Sequence, residues 1–528
     1  MSDVGAVLAG AFLDRCAERG LEPDPRLRIL EHPPAAPPHP LDGESLGQLH
    51  ERVVGGDERR GRGAWYTPAW LAEHLVARVV TQPSVVADPA CGGGVFLVAA
   101  AERLSAFGAA PETIVGELLW GADVDAVAVA VAEAELWLWS AGRGSPVVAG
   151  ERLVVGDTLT EREIPPVDVV VGNPPFLGQL KRRTSVDTDR RRALADRWGD
   201  AVRPYTDASW LFLLAAVEAV GSGGRIALVQ PQSLLGARDA GAVRDRIDAR
   251  ASLVDCWADD GSTFSASVDV CAPILQIRSD PARAANDWLA ALRESAGVPT
   301  VSLPTDGPTI DDIATVVAGF RDEYYGIVDA VDDGGRGPRL VTSGSIDPLR
   351  LRDEPVRFAK RRWTNPSVDA RQATGRARRW IEVQAAPKVI VASQTKVLEA
   401  AVDVDGSLVA GVPAIVVVPD GGGDPWRLAA MIHAPSASAW MLGRTLGTGL
   451  SAGSLRPTSA LVGALPLPVD EDRWGEAAVL ARGLWDDPPT DAAEARTRWS
   501  AYGAVADAAY AIDDPGLRNW WLDRLPLR

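Results

Sequence analysis

The segment Asn173-Pro174-Pro175-Phe176 holds residue types able to handle a planar amine. Two consecutive prolines fix two φ angles and remove two N–H donors, so the loop presents acceptors, namely the Asn173 side-chain oxygen and the Pro174 carbonyl. A pair of acceptors at fixed spacing is what an exocyclic NH2 group requires. Phe176 adds an aromatic face on which a planar base can stack, worth roughly 1–3 kcal/mol per base. Upstream lies Ala87-Asp88-Pro89-Ala90-Cys91-Gly92-Gly93-Gly94-Val95-Phe96-Leu97. Its glycines allow a sharp turn and a close approach to a ligand, and a helix opening there offers N–H groups to an anion. Asp88 ahead of the glycines would repel a pyrophosphate and suits a ligand bearing cationic groups. Asp123 and Asp157 end two further β-rich runs. The first can accept both ribose hydroxyls of an adenosine, the second a hydrogen bond from an adenine amino group. Singly, such an Asp is more often a helix N-cap. Together the acids fall at the carboxyl ends of strands, where open α/β sheets bind ligands.

Positioning these groups requires a regular frame. From Gly63 to about Arg278, strand candidates at Ser84–Ala87, Leu118–Ala122, Leu153–Val155, Val167–Val171, Arg225–Gln230, Leu253–Trp257 and Val270–Ile277 alternate with Ala-rich helical stretches. That rhythm predicts an α/β fold with a largely parallel sheet covered on both faces. Too few residues separate Trp257 from Val270 for a helix, so the last two of the seven strands should form an antiparallel hairpin. Before this lies a helix over Val4–Arg19, read as amphipathic, and a proline-rich connector at His32–Pro40. The expected organisation is 1–55 for the helical start and connector, 56–285 for the α/β domain, 286–469 for an α+β domain and 470–528 for a Trp-rich helical tail.

The ordered set Trp65-Tyr66-Thr67-Pro68, DPACGGGVF at Asp88–Phe96, Asp123, Asp157 and NPPF at Asn173–Phe176 resembles the S-adenosylmethionine-dependent N6-adenine DNA methyltransferases. It is similar to their gamma class, in which the cofactor motif precedes the catalytic one and a target-recognition domain follows. The resemblance is specific over Gly63–Arg278 and looser beyond, at Pro387–Val391 and Leu455–Pro468. It implies a Rossmann-like seven-stranded methyltransferase sheet plus a separate target-recognition domain. It also implies a site-specific adenine methyltransferase acting on double-stranded DNA within a restriction-modification or phage-defence system, with a separate endonuclease or defence subunits as partners. Residue by residue, Tyr66, Thr67 and the loop Asp88-Pro89-Ala90-Cys91-Gly92 would hold the amino-acid end of S-adenosyl-L-methionine. Asp123 would take its ribose, Asp157 its adenine, and Pro175 would pack at the cofactor side of the catalytic set Asn173, Pro174 and Phe176. The family usually has Tyr where this chain has Phe176, so stacking is kept and a phenol hydrogen bond lost. Phe264, in Gly261-Ser262-Thr263-Phe264, would be a second base-stacking ring. With no thiol in the NPPF loop, attack on cytosine C5 is not expected, and Cys91 reads as a small residue in the cofactor turn.

The net charge of −17 argues against a protein that coats nucleic acid indiscriminately. Two basic concentrations stand out against it: Lys181–Arg197 with seven cations and three acids, and Arg350–Arg379 with ten and three. Lys181, Arg182, Arg183, Lys360, Arg361 and Arg362 are thus candidate phosphate contacts; a solvated, salt-bridged face is the plainer reading. Four scattered cysteines and five histidines support neither disulfides nor a metal site and fit a reducing cytoplasm. The apolar run Val4–Leu13 lacks a basic lead and is too short to span a membrane. Related loops also serve RNA bases and protein amides, and a catalytically silent DNA-binding specificity subunit would keep this fold. The long second domain with its basic segment favours DNA. No acid-acid-Lys nuclease constellation precedes the α/β domain, so modification without cleavage is expected.

Overall fold

The computed structural model describes residues 4–34, 44–54, 67–176, 185–203, 206–259, 263, 269–280, 286–318, 321–335, 337–373, 375–446 and 454–526. The chain divides into two compact units, Met1–Ser295 and Ala296–Arg528.

The first unit is built on a mixed, parallel-rich sheet of β1 (Val86–Asp88), β2 (Leu119–Asp123), β3 (Leu153–Val155), β4 (Val167–Gly172), β5 (Val220–Leu228), β6 (Gln230–Pro231), β7 (Ala251–Ala258) and β8 (Val270–Ile277). The order runs β3-β2-β1-β4-β5-β8-β6, with β7 also on β8. Pairings among β1 to β5 are parallel; β8 runs antiparallel to β5, β6 and β7. The expected hairpin is thus present as β7–β8. Eight strands replace the seven expected, because the run Arg225–Gln230 is divided at Val229 into β5 and β6. β5 also starts five residues early, at Val220. Its Gly221-Ser222-Gly223-Gly224 stretch reads as a turn in sequence, yet a Cβ on Gly224 would sit 2.3 Å from the Asp168 carbonyl, so only glycine lets the strand pass.

β4 is apolar at four of six positions and buried at five, as a strand covered on both faces must be. Helix Ala126–Ala141 starts where the Asp125 side chain accepts from Val127 N–H, and it is buried nearly all round. One side packs toward the sheet; on the other its Trp137 joins an apolar cluster with Phe12, Leu46 and Leu49 from the N-terminal helices. Phe12 and Trp137 meet edge to face at 5.7 Å. Helix Val4–Glu18 is therefore not amphipathic as expected: Gly5 to Phe12 are all buried. It is wedged among helix Leu46–Val54, helix Ala126–Ala141 and the turn Arg28–Glu31, which leaves little of its circumference to water.

The second unit contains β9 (Ala314–Ala318), β10 (Val331–Asp333), β11 (Arg339–Val341), β12 (Ile346–Asp347), β13 (Arg350–Leu351), β14 (Val356–Phe358), β15 (Arg361–Trp363), β16 (Pro366–Val368), β17 (Lys388–Val391), β18 (Ala400–Asp403), β19 (Leu408–Ala410) and β20 (Ile415–Pro419). They form sheets β18-β17-β20-β9 and β10-β16-β11-β19, plus hairpins β12–β13 and β14–β15. Lys388 and Asp403 face each other across β17 and β18 and form a fully buried ion pair. The Asp403 carboxylate also accepts from Leu408 N–H at 2.9 Å. Breaking such a pair strands a charge in the core, so it fixes strand register.

Candidate functional site

The tips of β1, β2, β3 and β4 open into one cleft of about 430 Å³. It lies where the strand order reverses, β1 standing between β2 and β4, which is where open α/β sheets bind ligands. Thr67, Asp88, Pro89, Ala90, Cys91, Gly92, Asp123, Asp157, Asn173 and Pro175 all line it. The structure thus brings together the acids of the strand tips and the head of the NPPF loop. Pro174 and Phe176 are not among the lining residues; Phe176 is half-buried and packs against the apolar core. Tyr66, Phe264, Lys181, Arg182 and Arg183 lie outside the described residues. Lys360, Arg361 and Arg362 belong to the second unit.

Several amides of the glycine turn are engaged within the chain. Cys91 N–H donates to the Ala122 carbonyl at 2.9 Å and Gly94 N–H to the Cys91 carbonyl at 2.8 Å. Ala90 N–H donates to Asp88 Oδ1 at 3.1 Å and Gly92 N–H to Asp123 Oδ2 at 2.9 Å. Four amides of the turn are thus satisfied from within the chain, two of them by the Asp88 and Asp123 carboxylates. Gly94, at φ +88°, caps helix Val95–Ala106, and a Cβ there would lie 3.0 Å from Ala132.

Asp88 is 1% exposed, and burial pushes its carboxyl up to about 8, with the nearby Asp123 adding to the rise. Asp123 is also raised, by burial first, although its Oδ1 accepts from Asp125 N–H at 2.9 Å. Burial and the two acids push the Cys91 thiol well up, so it is no nucleophile at neutral pH. Asp157 behaves differently. Burial raises it, but Arg190 Nε donates to its Oδ2 at 2.8 Å and Leu159 N–H to its Oδ1 at 3.0 Å, so the net shift is downward. The Asp88 loop is tied to the β3 tip by Thr158 Oγ1, which donates to the Pro89 carbonyl at 3.0 Å.

Asn173 follows β4, and its Nδ2 donates to Thr67 Oγ1 at 3.0 Å. That bond puts the amide nitrogen on the Thr67 side and the oxygen on the other. The preceding Gly172 sits at φ +156°, and a Cβ there would lie 2.4 Å from Asp88 Oδ1. Only a glycine lets the strand carrying Asn173 approach the Asp88 carboxyl this closely.

Sequence reasoning missed His50, Glu51, Val54, Arg190 and Phe212, all of which line the cleft. Gly47, His50, Glu51 and Val54 recur at i, i+3, i+4 and i+7 on helix Leu46–Val54, one helical face, and that spacing is the signal that finds them. The face is held down by Leu46 N–H donating to Glu135 Oε1 at 2.5 Å and by Gly47 against Gly93, where a Cβ on Gly93 would meet Gly47 Cα at 2.6 Å. Arg190 had no such signal, since its partner Asp157 is distant in sequence.

Residues 44–256 match the family model described as N-6 DNA methylase. Among solved structures, the type IIL restriction-modification enzyme MmeI, determined in complex with DNA, is similar over 90% of this chain and 80% of its own, at 13% identity and a TM-score of 0.52. The type I restriction-modification system methyltransferase subunit from Streptococcus thermophilus is 20% identical over 46% of this chain and 52% of its own, with a TM-score of 0.32. The type I restriction enzyme EcoKI M protein is 17% identical over 46% and 53%, with a TM-score of 0.33. The chain therefore spans about half the length of the type I subunits it matches, 49% in the case of one from Vibrio vulnificus YJ016. The MmeI likeness establishes a shared fold. Across residues 44–256, with the strand-tip cleft at their centre, the chain is similar to the N-6 DNA methylase family.

Proposed function

We propose that the chain transfers a methyl group from S-adenosyl-L-methionine to the N6 atom of an adenine flipped out of double-stranded DNA. The observation that carries this reading is that Asn173 and Pro175 share one cleft with Asp88 and Asp123. The residues present fit this cofactor: the buried acids Asp88 and Asp123 suit a ligand that brings a cation. When bound, the cofactor supplies a methyl group on a positively charged sulfur. Asp88, with Thr67 and the loop through Gly92, binds the amino-acid end, and the carboxylate forms as the ammonium group arrives. Asp123 keeps one lone pair on each oxygen for ribose hydroxyls. Asp157 accepts from the adenine amino group through Oδ1, with Arg190 holding the carboxylate in place.

The exocyclic nitrogen of adenine is a poor nucleophile because its lone pair is delocalised into the ring. The Asn173 oxygen and the Pro174 carbonyl accept its two hydrogens, which bends it toward tetrahedral geometry and aims the lone pair at the methyl. The surplus proton on the methylated nitrogen leaves to water after transfer, so no general base is required at the transfer itself, in keeping with the absence of His or Lys from the NPPF segment. Orientation supplies most of the rate. Flipping costs a few kcal/mol, which stacking on Phe176 and Phe264 offsets in part; Phe176 must turn out of its half-buried seat to do so. The second unit acts as the target-recognition domain, in a restriction-modification or phage-defence setting with a partner endonuclease or defence subunit.

Methyl incorporation from labelled cofactor into duplex DNA, RNA and protein, run side by side and followed by sequencing of modified bases, tests the reading. N6-methyladenine at one defined DNA sequence is expected. Incorporation into RNA or protein alone, or none with any substrate, refutes it.

A further inference from the structure

The ten cations between Arg350 and Arg379 do not form one surface. Arg352 is paired with Asp347 at 2.5 Å, Arg371 with Asp369 at 2.9 Å and Arg378 with Glu382 at 2.9 Å. The hairpin β14–β15 is different. Its register places Val356 opposite Trp363, Arg357 opposite Arg362 and Phe358 opposite Arg361. Val356 and Phe358 are buried in the core of the second unit, so Arg357 and Arg362 stand on the outer face. There they oppose each other directly, with Cβ atoms about 4.5–5.5 Å apart, an arrangement in which like charges destabilise a sheet. Arg357, Lys360, Arg361 and Arg362 are all exposed, and among the described residues none of the four has an acidic partner.

The turn adds a second anomaly. Ala359 and Lys360 join the strands with φ of +49° and +62°. A two-residue turn with both centres left-handed is normally made by Asn-Gly, because a Cβ is disfavoured there. A left-handed Lys at the tip of a hairpin that already sets Arg against Arg does nothing for folding. An anion seated between the two arginines removes the repulsion, and the tip then presents Lys360 to the next charge along.

We propose that hairpin β14–β15 is a ribbon that grips the phosphate backbone of duplex DNA, one phosphate held between Arg357 and Arg362 and a neighbouring one at Lys360. This rests on the reading of the chain as a DNA methyltransferase. A two-stranded ribbon fits the major groove, and phosphate contacts set position without reading sequence. In a chain of net charge −17, such a local concentration overcomes the repulsion of the rest.

The test measures the affinity of the full chain for a duplex carrying its methylation sequence, by fluorescence anisotropy across a salt series. The double variant Arg357→Gln with Arg362→Gln should reduce the magnitude of the slope of log K against log salt by about 0.9, the value for one phosphate contact. Its affinity at low salt should fall tenfold or more. Cofactor affinity by calorimetry and the methylated sequence should be unchanged, and the melting temperature unchanged or higher. Arg357→Lys with Arg362→Lys should restore the slope. An unchanged slope and affinity overturns the proposal. So does a Gln variant that loses cofactor binding and melts early, or one that methylates a different sequence, because the hairpin is then structural or base-reading. Duplex RNA or a polyglutamate peptide outcompeting DNA also overturns it. If the wild type binds no duplex and methylates none, the functional reading itself fails, which the wild-type arm alone reveals.

Discussion

Replacing Asp88 with Asn isolates the electrostatics of the cleft. Burial pushes this carboxyl from the ordinary 3.8 to about 8, the Ala90 N–H drawing it down a little and Asp123 pushing it further up. At ~1.4 kcal/mol per tenfold change, about 5–6 kcal/mol opposes ionisation in the free protein. The sign follows: the folded state keeps a proton that the unfolded chain releases near pH 4, so this group's stabilisation fades as pH rises from about 4 to about 8 and then levels. A cation seated beside Asp88 reverses the balance and expels the proton. At pH 7 the free site is about 90% protonated, so cofactor binding should release up to about 0.9 proton, falling to about 0.1 at pH 9. Isothermal titration in buffers of different ionisation enthalpy reads this number directly. Asp88→Asn keeps the size and the acceptor for Ala90 N–H, so it should fold normally, release no proton at this site and bind at least tenfold more weakly. S-Adenosylhomocysteine, which keeps the ammonium and lacks the sulfonium charge, separates the two cations. A wild type that releases no proton at pH 7, or an Asn variant that releases as many, refutes the reasoning.

Asn173→Ala should lower single-turnover methyl transfer by at least a hundredfold while cofactor affinity changes less than threefold; an active variant means the site is misplaced. Asp123→Ala strands the Gly92 and Asp125 N–H groups and removes the ribose acceptor, so calorimetry should show cofactor affinity down tenfold or more. Gly93→Ala puts a Cβ 2.6 Å from Gly47 Cα, a clash expected to cost about 1–3 kcal/mol and to loosen cofactor binding by tilting helix Leu46–Val54; an unchanged melting temperature counts against it. Burial pushes His433 down to about 4, against hydrogen bonds to Ala429 and Ala400 that raise it. Its stabilisation is therefore complete above about pH 6.5 and lost toward pH 4, up to about 3 kcal/mol. His433→Gln should flatten the melting curve of the chain against pH in that window.

The strands nearest the site were the most legible parts of the sequence, for a physical reason. β1, β2 and β4 are buried on both faces, so each is a short apolar run that stops abruptly at a polar residue, and that residue is Asp88, Asp123 or Asn173. Chain order alone thereby marked the cleft. What stayed hidden depends on contacts distant in sequence. The roof made by helix Leu46–Val54 rests on Gly47 meeting Gly93, and a pair of glycines carries no hydrophobic signal. Arg190 was one of seven cations in its segment until the fold set it against Asp157. The N-terminal helix was misjudged because burial around its whole circumference comes from partners that periodicity does not name. The links that tie the glycine turn to β2, Cys91 N–H to the Ala122 carbonyl and Gly92 N–H to Asp123, likewise join segments far apart in sequence.

The missing side chain at Gly172 has a consequence for how such a chain diversifies. Because a bare Cα there lets β4 abut the Asp88 carboxyl, the span between the two halves of the cleft is set by main-chain packing inside one sheet. A cleft gauged that way keeps its width when surface side chains around it change. Substitutions on exposed loops can then accumulate while the spacing between Asp88 and Asn173 holds.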